Sequence, residues 1–362
     1  MKLRRNVPAV MAGLIVAAGF AYAVLSHHAP VLTTVTWSGA YGRAQASALF
    51  EPYAGRSGVN VHIAQYDGGL DELRAGRPGW DVIDMELPDA IAACREGLLA
   101  PVDVASLPLG PQGQPAKSDF VPGALGRCWV GSVVYSQAIA YAPGKFAAAP
   151  QTLADFFDPA RFPGPRALHA ASAKYNLEIA LLADGTPPGD VYKVLATPQG
   201  LTRAFAKLDT IRAQTIWWTR SSEPAEMLAD GRAVFATILN GDIHDAAVHG
   251  NKLGTIWDRQ LYELDVFAIP AASPKRAMAM DFIRFATSAP SLAQVAEWVP
   301  YGPARRSAVA LVGRNPELGT AMQPFLPTAH FGTAFAVDDV WWQTHGAEIA
   351  PRWREWQSFS SR

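Results

Sequence analysis

The sequence predicts a mixed α/β protein, and three observations carry this prediction. Short apolar runs alternate with amphipathic segments, turn-forming residues are spread along the whole chain, and aromatic and acidic residues gather where the predicted strands end. The chain has 362 residues, of which 49% are hydrophobic. At this length two lobes are expected, because a single hydrophobic core stops growing at about 250–300 residues. The 28 prolines and 30 glycines, without an internal repeat, argue against a coiled coil or a solenoid.

Apolar runs of strand length lie at 33–37, 59–65, 80–84, 133–141, 166–169, 233–239 and 264–269. Amphipathic segments predict helices between them over 41–56, 88–96, 177–183, 198–212 and 222–230, and a glycine stands near the end of most. A longer helical stretch over 274–298 follows the last strand and ends before Pro300. A tryptophan-rich tail closes the chain, and its tryptophans are expected to be structural.

Charge and motifs exclude several classes of function. Lys+Arg total 31 against Asp+Glu 32, which argues against a nucleic-acid binder built on a basic face. The short motifs of serine hydrolases, zinc proteases and nucleotide-binding loops do not occur. His244 and His249 stand near carboxylates, but their spacing does not place two imidazoles on one helical face, so no metal site is predicted. We expect a binding protein without a cofactor, and a secreted enzyme is the rival class.

The N-terminus predicts export. Lys2, Arg4 and Arg5 precede an uncharged stretch over 7–25 that contains Ala21-Tyr22-Ala23, an A-x-A cleavage site. We therefore predict a signal peptide over 1–23 and a soluble periplasmic protein. The alternative is an uncleaved membrane anchor, since the stretch is long enough to span a bilayer.

Two cysteines, Cys94 and Cys128, occur in the chain. In an oxidising compartment such a pair is expected to form a disulfide, and the alternative is two buried thiols that never meet. Closing a loop of this size would stabilise the fold by roughly 3–4 kcal/mol.

The aromatic and acidic residues at strand ends indicate a ligand site, because open α/β sheets bind ligands there. Trp37 ends the first predicted strand, and the segment 80–86 runs a strand into a loop that bears carboxylates. Asn240-Gly241-Asp242 ends another strand, and Asp265 lies inside the last one. Rings and carboxylates together favour an organic cation. An acid in an apolar strand is costly unless it is paired, so Asp265 is the strongest candidate.

Nine short segments then occur in the order found in bacterial extracellular solute-binding proteins of the spermidine/putrescine type. They are W-S-G-A-Y-G at 37–42, W-D-V-I-D at 80–84, E-G-L-L-A-P-V-D at 96–103, A-L-L-A-D-G at 180–185, W-W at 217–218, L-A-D-G at 228–231, N-G-D at 240–242, Y-E-L-D-V-F-A-I-P at 262–270 and Y-G-P at 301–303. The chain resembles that family from about Thr33 to its C-terminus.

The resemblance implies a type II-like periplasmic binding protein with two α/β lobes joined by two hinge crossings. The first lobe would comprise 31–137 and 263–302, and the second 138–262 and 303–362. The protein would be a monomer that captures a small amine-bearing solute between its lobes. It would deliver the solute to the ABC permease of an importer in the inner membrane.

Ligand-binding positions are carried over from that family residue by residue. The matched positions are Trp37, Asp242, Asp265 and Tyr301, with Glu86 at a polar position of the cleft. The predicted ligand-binding residues also include Ser38, Tyr41, Lys174 and Trp218. Some have simpler interpretations: Asp242 could cap a helix over 243–248, and Lys174 could be a solvated helix residue. Trp217 and Trp218 could be packing residues, or either one could reach the cleft.

The solute class depends on departures from the family pattern. Gly39 stands where polyamine binders carry a carboxylate, and Ser172-Ala173-Lys174-Tyr175 replaces an acidic helix start. A polyamine such as putrescine or spermidine is the first expectation. Lys174 would repel a second ammonium and could instead pair with a carboxylate, so an ω-amino acid such as 4-aminobutyrate is the alternative.

Overall fold

The protein is described by a computed structural model over residues 29–76 and 79–360. The predicted signal peptide lies outside the described residues. Among those that are described, no helix is long and apolar enough to cross a membrane.

The described residues form one mixed sheet, and the α/β prediction is confirmed. Its strands are β1 Val31–Thr36, β2 Asn60–Gln65, β3 Val82–Glu86, β4 Trp129–Tyr141, β5 Arg166–His169, β6 Thr215–Trp218, β7 Phe235–Leu239, β8 Gly254–Ala268, β9 Gly302–Pro303 and β10 Phe335–Ala336. They lie in the order β2-β1-β3-β8-β4-β7-β5-β6, with β10 beside β8 and β9 beside β4.

Helices alternate with these strands along the chain. The α-helices are Gly39–Gln45, Glu51–Ser57, Asp71–Arg74, Leu87–Arg95, Ala116–Asp119, Leu153–Phe156, Asn176–Ala183, Val191–Leu195, Pro198–Asp209, Glu223–Ala229, Asn240–Val248, Arg276–Ala286, Ala289–Trp298 and Asp339–Ser360. A π-helical turn, Ala46–Phe50, joins the first two. The predicted stretch over 274–298 is two helices, because Ser288 caps a new helix whose first turn contains Pro290.

Two long antiparallel strands connect the halves of the sheet. β4 has 13 residues and β8 has 15, so β8 starts ten residues earlier than the sequence predicts. β3, β1 and β2 continue the sheet on one side of this pair, and β7, β5 and β6 continue it on the other. The pairing of β4 with β8 is interrupted between Gly131 and Val133 and between Gln137 and Ile139. Such bulges bend strands where they pass from one half to the other.

Separate hydrophobic cores form on the two sides of the crossing. The first draws on residues 32–134 and 262–326, and the second, with a smaller satellite cluster, draws on residues within 138–261 and 335–356. The division into lobes stays a prediction, but one segment packs differently from it. Ala304, Ala308 and Leu326 are buried in the first core, although the predicted second lobe includes 303–362.

The predicted disulfide is present. Cys94 and Cys128 are bonded, with their Cα atoms 5.9 Å apart. The bridge links the helix Leu87–Arg95 to the residue before β4, so both of its ends lie in the first core.

Candidate functional site

Four carboxylates line one face of the sheet where β3 meets β8. Glu86 lies directly opposite Asp265 in the antiparallel pairing of these strands. Asp84 and Glu263 are each two residues away along their strands, and side chains two residues apart point to the same face. On the other side of β8, Tyr135 lies opposite Glu263. The sheet therefore concentrates negative charge at the crossing.

Asp265 is buried without a complete set of partners. Its residue is 5% exposed, and its Oδ1 atom has no hydrogen-bond partner among the described residues. Burial raises the pKa of Asp265 well above its ordinary value, and the charges of Asp84, Glu86 and Glu263 raise this pKa further. A bound cation would stabilise the ionised form of this carboxylate.

Asp84, in contrast, has hydrogen-bond partners at both carboxylate oxygens. The Tyr41 hydroxyl donates to Asp84 Oδ2 at 2.7 Å, Gln45 Nε2 donates to the same oxygen, and the Ser132 hydroxyl lies 3.4 Å from Oδ1. Burial raises the pKa of Asp84 to about 7, and these donors oppose the rise. Asp84 therefore anchors Tyr41, which sits beside the acidic face.

Tyrosines enclose the carboxylates. The Tyr301 ring lies 5.4 Å from the Tyr41 ring and 6.2 Å from the Tyr135 ring, measured between centroids. The Tyr135 hydroxyl donates to Glu86 Oε1 at 3.5 Å. Burial raises the pKa of all three phenols, so these rings stay neutral. Neutral aromatic rings beside carboxylates favour an ammonium group.

The second half of the molecule contributes Asp242. This residue lies in the first turn of the helix Asn240–Val248, so the interpretation of Asp242 as an N-cap is wrong; that position belongs to Leu239. Its Oδ2 atom is buried without a partner, and burial raises the pKa of Asp242 to about 6. The neighbouring residue, Gly241, packs close to the Tyr301 ring.

Asn240 joins the halves at this point. Its Oδ1 accepts from the Ser136 backbone N–H at 2.9 Å, and its Nδ2 donates to the Pro300 carbonyl at 2.5 Å. The start of this helix is thereby tied both to β4 and to the residue that precedes Tyr301.

Lys174 forms an ion-paired cluster at the other end of the acidic face. Its Nζ atom contacts Glu263 Oε1 at 2.6 Å and also bonds Asp339. The Tyr175 hydroxyl donates to the second oxygen of Glu263 at 2.6 Å. Burial raises the pKa of Glu263 to about 7, and the Lys174 charge opposes this rise. Lys174 thus points toward β8 and is not a freely solvated residue.

Comparison with known proteins identifies the family of this chain. Residues 48–320 match the family described as bacterial extracellular solute-binding protein. The chain belongs to this family. A gamma-aminobutyric acid-binding protein of Pseudomonas aeruginosa is 38% identical over 331 residues, which cover 90% of each chain.

Solved structures extend the likeness of this solute-binding protein. A structure described as a GABA receptor has a TM-score of 0.69 and 31% identity, and the match covers 90% of this chain and 97% of that one. The spermidine/putrescine substrate-binding protein of Streptococcus pneumoniae has a TM-score of 0.72 at 15% identity, over 91% and 99% of the two chains. At that identity the likeness shows the fold alone. The expected polyamine-type specificity therefore has no support from sequence relatives, whereas the two-lobed fold is confirmed.

The remaining predicted site residues of this solute-binding protein are Trp37, Ser38 and Trp218. Trp37 packs 5.2 Å from Tyr66, and the Nε1 atom of Trp37 and the hydroxyl of Tyr66 are both buried without partners. Ser38 is exposed at the start of the helix Gly39–Gln45 and makes no side-chain capping bond. Trp218 ends β6, where its Nε1 donates to Thr237 and its ring packs against His169.

Trp217 precedes Trp218 in β6, so the two side chains point to opposite faces of the sheet. Its ring makes edge contacts with Trp353 and Trp356 of the last helix. The tail tryptophans therefore have the structural role expected of them. Among the described residues, no group of histidine, cysteine and acidic side chains could hold a metal ion.

Sequence reasoning missed several functional candidates in this solute-binding protein. Tyr66, Tyr135, Glu263 and Asp339 were not singled out, because each looks like an ordinary strand, loop or helix residue. Glu263 could have been found, since it directly precedes the predicted strand over 264–269. It stands two residues from Asp265, so the two side chains share a face.

Proposed function

We propose that this protein is the substrate-binding component of an ABC importer and that its solute is an ω-amino acid such as 4-aminobutyrate. One observation carries the proposal. The buried polar atoms without partners include both acceptors and donors: Asp242 Oδ2 and Asp265 Oδ1, and Trp37 Nε1 and the Tyr66 hydroxyl. A zwitterionic solute needs both kinds, whereas a diamine needs only acceptors.

The amine end would bind at Asp265. This carboxylate faces the tyrosine rings, and its unpartnered oxygen could accept a charge-assisted hydrogen bond from an ammonium group. Asp242 belongs to the other half of the molecule. It follows Gly241, which packs close to the Tyr301 ring. Closure of the two halves on the solute would exclude water and strengthen both contacts.

The carboxylate end would bind at Trp37 and Tyr66. Their rings are 5.2 Å apart, and their N–H and O–H donors lack partners. Both donors are uncharged, so they would bind the carboxylate by hydrogen bonds and not by an ion pair. The nearby carboxyl of Asp84 has a pKa raised to about 7 by burial, which reduces its repulsion of a ligand carboxylate.

A polyamine is the second candidate, and the excess of carboxylates favours it. Asp84, Glu86, Glu263 and Asp265 share one face with Lys174 as their cationic neighbour. The sequence relatives support the ω-amino acid instead, since the gamma-aminobutyric acid-binding protein covers 90% of this chain.

The experiment is isothermal titration calorimetry of the purified protein with 4-aminobutyrate, butylamine, butyrate and putrescine. Butylamine lacks the carboxylate and butyrate lacks the amine, so each truncation removes one end of the solute. A hydrogen bond to a charged group contributes about 1.5–3 kcal/mol, so each truncated solute should bind roughly tenfold or more weakly than 4-aminobutyrate. Tighter binding of putrescine would favour the polyamine instead. Chemical change of the bound solute, followed by mass spectrometry, would indicate an enzyme.

A further inference from the structure

The Lys174 ammonium is held by the protein itself. Its side chain is 20% exposed, and those of its partners Glu263 and Asp339 are 9% and 16% exposed. The three residues come from three elements: the segment before the helix Asn176–Ala183, the strand β8, and the first turn of the last helix. Lys174 therefore neutralises two mostly buried carboxylates of this chain and has no need of a carboxylate on the solute.

The segment that carries Lys174 is fixed in place. Tyr175 has a left-handed backbone with φ of 71°, which is unusual for a non-glycine residue. Its hydroxyl donates to Glu263 at 2.6 Å, so residues 174 and 175 both bind the same carboxylate. Two adjacent side chains on one acceptor restrict where the lysine can move.

Glu263 and Asp265 form a pair of carboxylates suited to a diamine. They are two residues apart on β8 and point to the same face, at a Cα spacing of roughly 7 Å. A short α,ω-diamine carries two ammonium groups on a chain of comparable length. Asp265 has an unpartnered oxygen, whereas Glu263 already holds the Lys174 ammonium.

We infer that Lys174 is a specificity-determining residue, whose own ammonium occupies Glu263 in place of the second ammonium of a diamine. The site then keeps one free carboxylate, Asp265, for one ligand amine. This inference rests on the proposed function and explains why an acidic site would accept an ω-amino acid and reject a diamine. A second ammonium near Lys174 would meet a like charge in a poorly solvated place.

The test compares Lys174→Gln with Lys174→Arg by calorimetry against putrescine and 4-aminobutyrate. Lys174→Gln frees Glu263 and should strengthen putrescine binding by about tenfold or more relative to 4-aminobutyrate. Lys174→Arg keeps the positive charge and should keep the wild-type preference. Adding Glu263→Gln to Lys174→Gln should cancel the gain, because the second carboxylate is then gone.

Folding is monitored by thermal unfolding of each variant. If Lys174→Gln does not fold, Lys174→Gln with Asp339→Asn removes a charge of each sign and still leaves Glu263 free, so the same gain for putrescine is expected. An unchanged ratio of the two affinities in a folded variant would show a purely structural lysine and overturn the inference. The proposed function is judged separately, by the solute preference of the wild-type protein.

Discussion

Asp265 is the side chain on which the proposed binding of the solute amine depends most. Its position inside an apolar strand suggests a paired acid, and the structure leaves one of its oxygens unpartnered beside three other carboxylates. Such a group destabilises the empty protein in its ionised form and gains from a cationic ligand. Removing the charge of Asp265 should therefore lower the ligand affinity and raise the stability of the free protein.

Replacement of Asp265 by Asn tests this opposition. We expect about tenfold or greater loss of 4-aminobutyrate affinity, because a hydrogen bond to a charged group contributes about 1.5–3 kcal/mol. The ligand-free variant should melt at a higher temperature than the wild type at pH 8, since a buried charge is removed. Asp71→Asn is the control, because its side chain is 99% exposed on the surface. Unchanged affinity in Asp265→Asn would exclude this carboxylate from the site.

The acidic face also predicts a dependence on pH. Burial raises the pKa of Asp84 to about 7, against about 3.9 for an unfolded aspartate. A raised pKa in the folded state adds stability below the unfolded pKa, and this stability is lost as pH rises through about 7. The ligand ammonium favours the ionised forms of Asp242 and Asp265, whose pKa values burial also raises, so binding should strengthen as pH rises.

The measurement is the melting temperature with and without 4-aminobutyrate at pH 5 and pH 8. The ligand-induced increase should be larger at pH 8. Asp84→Asn should retain the Tyr41 contact and make the free protein less sensitive to this change of pH. An equal ligand-induced increase at both pH values would contradict the linkage.

At the scale of the elements, the last helix is attached to the second core by buried tryptophans and by a hydrogen bond to a buried acid, Glu178. Trp342, Trp353 and Trp356 of the helix Asp339–Ser360 are buried in the second core. The Trp342 indole N–H donates to Glu178, which also accepts from the Tyr192 hydroxyl at 3.2 Å. Burial raises the pKa of Glu178 to about 7, so its uncharged form is present near neutrality. This pair fastens the helix to the second core.

Trp342→Phe should therefore lower the free energy of unfolding by about 1–3 kcal/mol, because it removes a donor from a buried acceptor. Glu178→Gln should be close to neutral or stabilising at pH 8, since it removes a buried charge and keeps an acceptor. Trp341→Phe is the control, because Trp341 is only partly buried and its ring stacks on His345. Urea unfolding measures all three, and equal losses for Trp341→Phe and Trp342→Phe would contradict this role of Glu178.

At the scale of the whole molecule, the disulfide braces the first core. Cys94 and Cys128 are 34 residues apart in sequence. Replacing both by Ser should lower the free energy of unfolding by roughly 3–4 kcal/mol, because the unfolded chain gains the freedom of an open loop. Reduced wild-type protein should unfold like the variant. If oxidised and reduced wild type were equally stable, the loop-closure account would be wrong.

The fold was largely predictable because its signals are local. Apolar runs with turn residues at their ends located most of the strands, and the predicted bounds of β5 match the structure. β6 was missed because Thr215–Trp218 is a four-residue run after a helix, too short to show a period. The start of β8 was missed because residues 254–263 alternate little and include charged side chains.

The candidate site was predictable only in part. The sequence by itself determined the fold class, the pair of cysteines and the acidic and aromatic residue types of the site, since these depend on composition and short-range pattern. Only the tertiary structure decided that Lys174 is paired with Glu263, 89 residues away, and with Asp339, 165 residues away. It also decided that Asp84 is satisfied while Asp265 is not. The physical reason is that charge pairing and burial depend on distances through space, which a single chain of residues does not contain until it is folded.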